Sequence, residues 1–120
     1  MKQPKIHKIY NPAMECMDRA KLRELQSERL RETVKLEYER VPLYRKRMDE
    51  MGVKPEDINS VDDLKKLPFM EKTDLRDQFP YGLLAQKLTD IVRIQGSSGT
   101  TGKPIVTGYT ENDIEVWTEM

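Results

Sequence analysis

The sequence predicts an α+β protein in which a mostly helical region is followed by a β-hairpin and a further helix. Between Pro12 and Pro42 there is neither proline nor glycine, and the segment is rich in Glu, Arg, Lys and Leu. Two runs rich in β-branched residues, at 90–94 and 105–109, lie on either side of a glycine-rich loop. This change of character divides the chain into a helical region, 1–89, and a second region, 90–120.

A single helix over residues 12–40 is the first predicted element. Asn11 supplies an N-cap side chain, and Pro12 suits the first helical position. The helix is expected to end before Pro42, because the residue before a proline, Val41, is held in extended geometry. If the helix were straight, it would span about 43 Å at 1.5 Å per residue. That length exceeds the radius of gyration of about 14 Å expected for a compact chain of this size.

The apolar side chains of this helix fall on two faces at ~100° per residue. One face carries Met14, Leu22, Leu25 and Leu36, and the roughly opposite face carries Leu30, Val34, Tyr38 and Val41. We therefore expect the helix to have two packing partners or a bend between them.

Shorter helical segments are predicted between residues 42 and 80. Residues 42–51 form a helix that Gly52 ends. Ser60, with Asp63 three residues later, has the pattern of a capping box, and the helix that it opens is expected to end at Pro68.

The second region contains the two predicted strands and a helix that Thr110 and Asp113 cap as a second capping box. The helix pattern runs through Trp117 to Met120 without a stop signal. Because a two-stranded sheet is marginal when alone, the sequence is expected to be a truncated part of a longer protein.

Composition and charge exclude several classes of protein. Charged residues make up 35% of the chain, but the 21 basic and 21 acidic groups cancel, which disfavours a nucleic-acid partner or an anionic membrane surface. One cysteine and one histidine exclude a Cys/His zinc cluster and an internal disulfide. With no apolar run long enough to span a membrane and no secretory signal, the sequence predicts a cytoplasmic protein.

The loop between the strands carries the chemistry that the sequence offers. Its glycines let backbone N–H groups approach a ligand, its hydroxyls can donate to oxyanions, and its lysine adds positive charge. The candidate phosphate-binding residues are Ser97, Ser98, Gly99, Thr100, Thr101, Gly102 and Lys103. Walker A spacing is not met, because five residues separate Gly96 from Gly102 and Pro104 follows the lysine. We predict a site for the triphosphate of a nucleotide; on composition alone, the alternative is a flexible linker.

Residues 97–104 resemble the phosphate-binding signature of the adenylate-forming ANL superfamily, [ST]-S-G-[ST]-T-G-x-P. More narrowly, segments 38–45, 67–77, 81–85 and 106–110, in this order, are similar to phenylacetate–CoA ligases. Lys103 departs from the superfamily pattern, in which lysine follows the proline, where this chain has Ile105.

The resemblance implies a ligase that uses ATP, Mg²⁺ and coenzyme A. An aryl-acetic acid such as phenylacetate would form an acyl-adenylate and pyrophosphate, and the CoA thiol would then displace AMP. By match to the signature, the residues that would hold the phosphates are Ser97, Ser98, Gly99, Thr100, Thr101 and Gly102, and the role of Lys103 stays open. The catalytic and CoA-binding residues would lie beyond Met120. Residues 1–89 would be a helical N-terminal region and 90–120 the start of the ATP/AMP-binding domain, so the chain alone should be inactive.

Two further functions stay open at this point. The same loop would serve a related ligase that adenylates a different carboxylate. From another class, the chain could be a helical module that binds a partner protein through its charged faces. A homodimer is also left open by the sequence.

Overall fold

A computed structural model describes residues 8–97, 102 and 104–119. Five α-helices and two strands are present in this part, together with 3₁₀ turns at Pro55–Asp57, Val61–Lys66 and Leu88–Asp90. In chain order the helices and strands are α1 Pro12–Glu15, α2 Arg19–Arg40, α3 Pro42–Glu50, α4 Lys72–Asp77, β1 Ile91–Gly96, β2 Val106–Thr110 and α5 Glu111–Thr118. The predicted α+β class, mostly helical with a terminal hairpin and helix, is confirmed.

The first helix begins as predicted but does not continue to residue 40. The side chain of Asn11 accepts a hydrogen bond from the N–H of Met14, and Pro12 is the first helical residue. The chain then leaves the helix, and Asp18 starts α2 by accepting hydrogen bonds from the backbone N–H groups of Ala20 and Lys21. The prediction of one unbroken helix is therefore wrong, because a second N-cap competes with the helical backbone.

The hydrophobic core lies between α2, α3 and the segment after α3. Val34, Met48 and Ile58 are almost completely buried. Partly buried side chains surround them: Leu30, Tyr38, Tyr44, Val53 and Leu67. One of the two predicted apolar faces of the long helix thus packs on α3. Val41 links the two helices in extended geometry, with φ −110° and ψ 101°, as the proline after it requires.

Gly52 ends the α3 region as the sequence predicts. Its φ of +67° lies in the left-handed region that side-chain-bearing residues rarely adopt. The predicted box of Ser60 and Asp63 also forms, and the Asp63 carboxylate accepts hydrogen bonds from the N–H groups of Asn59 and Ser60. The element it opens is a 3₁₀ turn rather than an α-helix.

Two polar contacts tie distant segments to this core. Ser27, only 7% exposed, donates its hydroxyl to the carbonyl of Arg23 and accepts a hydrogen bond from the N–H of Val61 at 3.2 Å. Arg47 of α3 forms a two-pronged ion pair with Asp74 of α4, at 2.6 and 2.7 Å. These contacts fix the Val61–Lys66 turn against α2 and fix α4 against α3.

The strands pair antiparallel, and they begin and end one or two residues later than predicted. Ile91 pairs with Thr110 and Gly96 with Val106, with a bulge between Ile91 and Arg93. Thr110 then caps α5: its hydroxyl accepts a hydrogen bond from the N–H of Asp113. The predicted box is confirmed, and the helix ends at Thr118, while Met120 lies outside the described residues.

The chain is elongated, with a radius of gyration of 17.9 Å against the ~14 Å of a compact chain of this length. Several large apolar side chains are exposed, among them Phe69 at 92%, Val92 at 63% and Ile94 at 56%. Across the described residues, no helix combines the length and the apolarity that a bilayer crossing requires.

Candidate functional site

The loop predicted to bind phosphate is closed at its base by hydrogen bonds between the two strand ends. The N–H of Ser97 donates to the carbonyl of Ile105 at 2.9 Å, and the N–H of Ile105 donates to the hydroxyl oxygen of Ser97 at 3.2 Å. Because the serine oxygen accepts here, its own hydrogen can still be donated to a ligand. The loop is therefore an extension of the hairpin, anchored on both sides.

Gly102 is the second loop residue that the structure describes. Its φ is +128°, and a Cβ built on it would meet nothing within 4 Å. The backbone conformation, rather than crowding by neighbours, is what favours glycine here. The other predicted phosphate contacts lie outside the described residues: Ser98, Gly99, Thr100, Thr101 and Lys103.

A groove of about 610 Å³ lies beside the hairpin, between α2 on one side and β2 with the start of α5 on the other. Leu36 lines it, and this residue belongs to the predicted apolar face of the long helix that does not contain Val34. The charged residues of its lining are Glu32, Glu37 and Asp113, all acidic. Since three carboxylates repel a triphosphate, the groove is electrostatically unsuited to the phosphates of a nucleotide.

Burial raises the pKa of the Glu37 carboxyl in this groove. Tyr44, on α3, also has a raised pKa, first because of its own burial and second because of the negative charge of Glu37. Arg40, one turn further along α2, donates to the carbonyl of Ala85 and to the side chain of Gln86. These bonds hold the 80–86 wall of the groove against α2.

The described residues offer no protein site for a metal ion. Within 8–97, 102 and 104–119, no three His, Cys, Asp or Glu side chains lie close enough together to hold one.

Sequence reasoning missed a ring stack that joins the hairpin to α5. The ring centroids of Tyr109 and Trp117 are 5.6 Å apart, with 28° between the planes. The guanidinium of Arg93 lies 5.5 Å from the centroid of the Trp117 ring. The sequence offered one signal for this contact, the eight-residue spacing between Tyr109 in β2 and Trp117 near the end of the following helix. This spacing alone does not indicate that the two rings touch.

The fold is that of a known class of enzymes. A crystal structure of a 2-hydroxyisobutyryl-CoA ligase, in complex with 2-HIB-AMP and CoA, matches 85% of this chain at a TM-score of 0.74 and 30% identity. The match covers 23% of that structure. No family model matches the chain. The structural similarity defines the class as CoA ligases of the adenylate-forming type.

Sequence comparison narrows this class. The phenylacetate-coenzyme A ligase of Thermus thermophilus is 50% identical over 112 residues, which are 93% of this chain and 25% of the relative. The enzyme of the same name from Pseudomonas putida is 52% identical over 82% of this chain and 23% of its own length. The chain belongs to the phenylacetate–CoA ligase family, and it spans about a quarter of the length of these relatives.

Proposed function

We propose that this chain is part of an enzyme that converts phenylacetate into its CoA thioester in two steps. A carboxylate oxygen attacks the α-phosphorus of ATP, giving the acyl-adenylate and releasing pyrophosphate. The thiol of CoA, losing its proton, then attacks the acyl carbon and expels AMP. The observation that carries the proposal is the 50% identity, over nearly the whole chain, to a ligase with this name.

The loop between β1 and β2 is assigned to the first step. Its hydroxyls and backbone N–H groups hold the β- and γ-phosphates and stabilise the charge that develops on pyrophosphate as it leaves. The residues assigned to this role are Ser97, Ser98, Gly99, Thr100, Thr101 and Gly102, with Lys103 as a supporting charge. The hydrogen bonds between Ser97 and Ile105 support this assignment, because they hold the two ends of the loop together.

The remaining assignments follow from the same proposal. Residues 1–89 are the helical N-terminal region, and the ATP/AMP-binding domain begins near residue 90. ATP and CoA are substrates, the protein works in the cytoplasm, and two copies can form a dimer. Mg²⁺ accompanies the nucleotide phosphates.

A related ligase acting on another carboxylate is the second candidate. Its support is the 2-hydroxyisobutyryl-CoA ligase, whose fold matches this chain at 30% identity. The phosphate loop serves any carboxylate, so it does not distinguish the two candidates.

ATP–pyrophosphate exchange by the intact protein tests the proposal. Labelled pyrophosphate should enter ATP when phenylacetate is present and should not do so when the acid is omitted. Assays with other aryl acids and with 2-hydroxyisobutyrate run in parallel. Exchange that depends on a non-aryl acid alone would favour the second candidate, and no exchange with any carboxylate would refute both.

A further inference from the structure

We propose that Trp117, in contact with Tyr109 and Arg93, is a positioning residue that sets the angle of the phosphate loop. The inference rests on the proposed function, since it names a residue that acts on ATP binding through the loop rather than by touching the nucleotide. Three elements meet at this ring: β1 supplies Arg93, β2 supplies Tyr109 and α5 supplies Trp117.

The register of the hairpin brings the two strand residues to one face. Arg93 and Tyr109 are directly paired across the antiparallel strands, and directly paired residues project to the same side of a sheet. Trp117 meets both, stacking on the Tyr109 ring and receiving the Arg93 guanidinium within the ~6 Å range of a cation–π contact. One ring of α5 is thereby held to both strands.

On the side of β1 the hairpin has little else in the described chain to fix its direction, whereas on the side of β2 Gly108 lies close to Leu84. From Val92 to Ser97 every residue of the first strand and its exit is exposed. Residues 94–96 lead directly from Arg93 to Ser97, whose hydrogen bonds with Ile105 close the loop. A change in the angle between α5 and the stem would therefore be transmitted to the loop within a few residues.

Loss of the ring stack should affect the binding of ATP but not the binding of the carboxylic acid. A loop held at one angle presents its donors to the triphosphate without a cost of reorganisation, so loss of the stack weakens binding of ATP. The carboxylic acid does not contact the loop in the proposed function, so its KM should stay unchanged. A residue that merely stabilised the fold would alter both KM values or neither.

The test compares four variants of the intact protein with the wild type. Trp117→Ala removes the ring, Trp117→Phe keeps an aromatic ring, and Arg93→Gln removes the cation from an exposed strand position. Val116→Ala, on the same helix and 48% exposed, is the matched control. Pyrophosphate exchange gives KM values for ATP and for the acid, and hydrogen–deuterium exchange follows peptides that cover 96–105.

We expect Trp117→Ala to raise the KM for ATP about three- to tenfold, the range that one lost aromatic contact of this kind supports. Trp117→Phe should recover most of this loss, Arg93→Gln should give a smaller increase, and Val116→Ala should give none. Deuterium uptake at 96–105 should rise in the same order. Unchanged ATP affinity and unchanged uptake in both Trp117→Ala and Arg93→Gln would overturn the proposal. If Trp117→Ala does not fold, the same unchanged result in Arg93→Gln is sufficient to overturn it.

The two proposals fail separately in this design. If the wild-type protein shows no exchange with any acid, the proposed function falls. Deuterium uptake at 96–105 then still decides whether Trp117 positions the loop.

Discussion

The helical part of the chain, residues 19–67, and the hairpin part, residues 91–118, are held together in different ways. In the helical part, Val34, Met48 and Ile58 form a buried cluster between elements that are separated in sequence. In the hairpin part, none of the described residues is buried. There the order comes from strand pairing, a capping box and an exposed ring stack.

The helical part is therefore a scaffold, and the hairpin part carries the proposed site. A buried cluster resists change, because each lost methylene leaves a cavity in a close-packed interior. A hairpin held by surface contacts keeps its angle only while those few contacts are present, so the loss of one ring or one cap should change that angle. The residues proposed to bind ATP lie on the second kind of structure.

The largest expected effect is on the helical part. Met48→Ala should lower the free energy of unfolding by about 2–5 kcal/mol, because it leaves a cavity where a fully buried side chain was. The measurement is urea denaturation of the intact protein, followed by circular dichroism. Met51→Ala, three residues away and 52% exposed, is the control and should change stability by less than about 0.5 kcal/mol. Equal effects of the two variants would contradict the position of the core.

The next effect is on the site. Thr100→Ala combined with Thr101→Ala should slow adenylation roughly 10²-fold or more, because two hydroxyl donors to the phosphates are lost. Pyrophosphate exchange gives the rate, and circular dichroism should show no change in helix content. Thr89→Ala, outside the loop, is the control and should leave the rate as it is. An unchanged rate in the double variant would contradict phosphate contact by these side chains.

A smaller effect is expected at the start of α5. Thr110→Ala removes the side-chain oxygen that accepts from the N–H of Asp113, which should cost about 1 kcal/mol of local stability. Amides of residues 111–118 should then exchange with deuterium about fivefold faster, as 1 kcal/mol implies. Thr110→Ser keeps the capping oxygen and should retain most of the protection. If serine and alanine behave alike, the cap does not stabilise the helix.

The smallest effect is a dependence of stability on pH in the helical part. The ion-paired Lys66 ammonium, followed by the N–H groups of Asn59 and Ser60, lowers the pKa of Asp63 to about 2. Since the unfolded pKa is about 3.9, this stabilisation is complete above that value and is lost as the pH falls from about 4 towards 2. Urea midpoints measured between pH 5 and 2.5 should fall less steeply in Asp63→Asn than in the wild type. Parallel slopes would show that Asp63 is not the group responsible.

Local sequence patterns predicted much of this fold, whereas few of its long-range contacts could be predicted. The caps at Asn11, Ser60 and Thr110 were all predicted, because a capping side chain and its partner lie within three residues of each other. The break before α2 was missed, since Asp18 can serve equally as a helix surface residue or as a cap. Apolar spacing also predicted that the long helix packs through the face that contains Val34.

The contacts that shape the site were not predictable in this way. Arg47 and Asp74 are 27 positions apart, and no sequence pattern connects them. The closure of the loop by Ser97 was not predicted either. The sequence suggested only a phosphate contact for its hydroxyl, but the hydroxyl oxygen also accepts a hydrogen bond from the N–H of Ile105. Such pairings depend on the relative placement of whole elements, which tertiary packing decides.

A crystal structure of the intact protein with bound ATP tests the central claim most directly. The account predicts that the hydroxyls of Thr100 and Thr101, with backbone N–H groups of the loop, lie about 2.7–3.2 Å from oxygens of the β- and γ-phosphates. A bound nucleotide whose phosphates contact other residues, with this loop turned away from them, would contradict it.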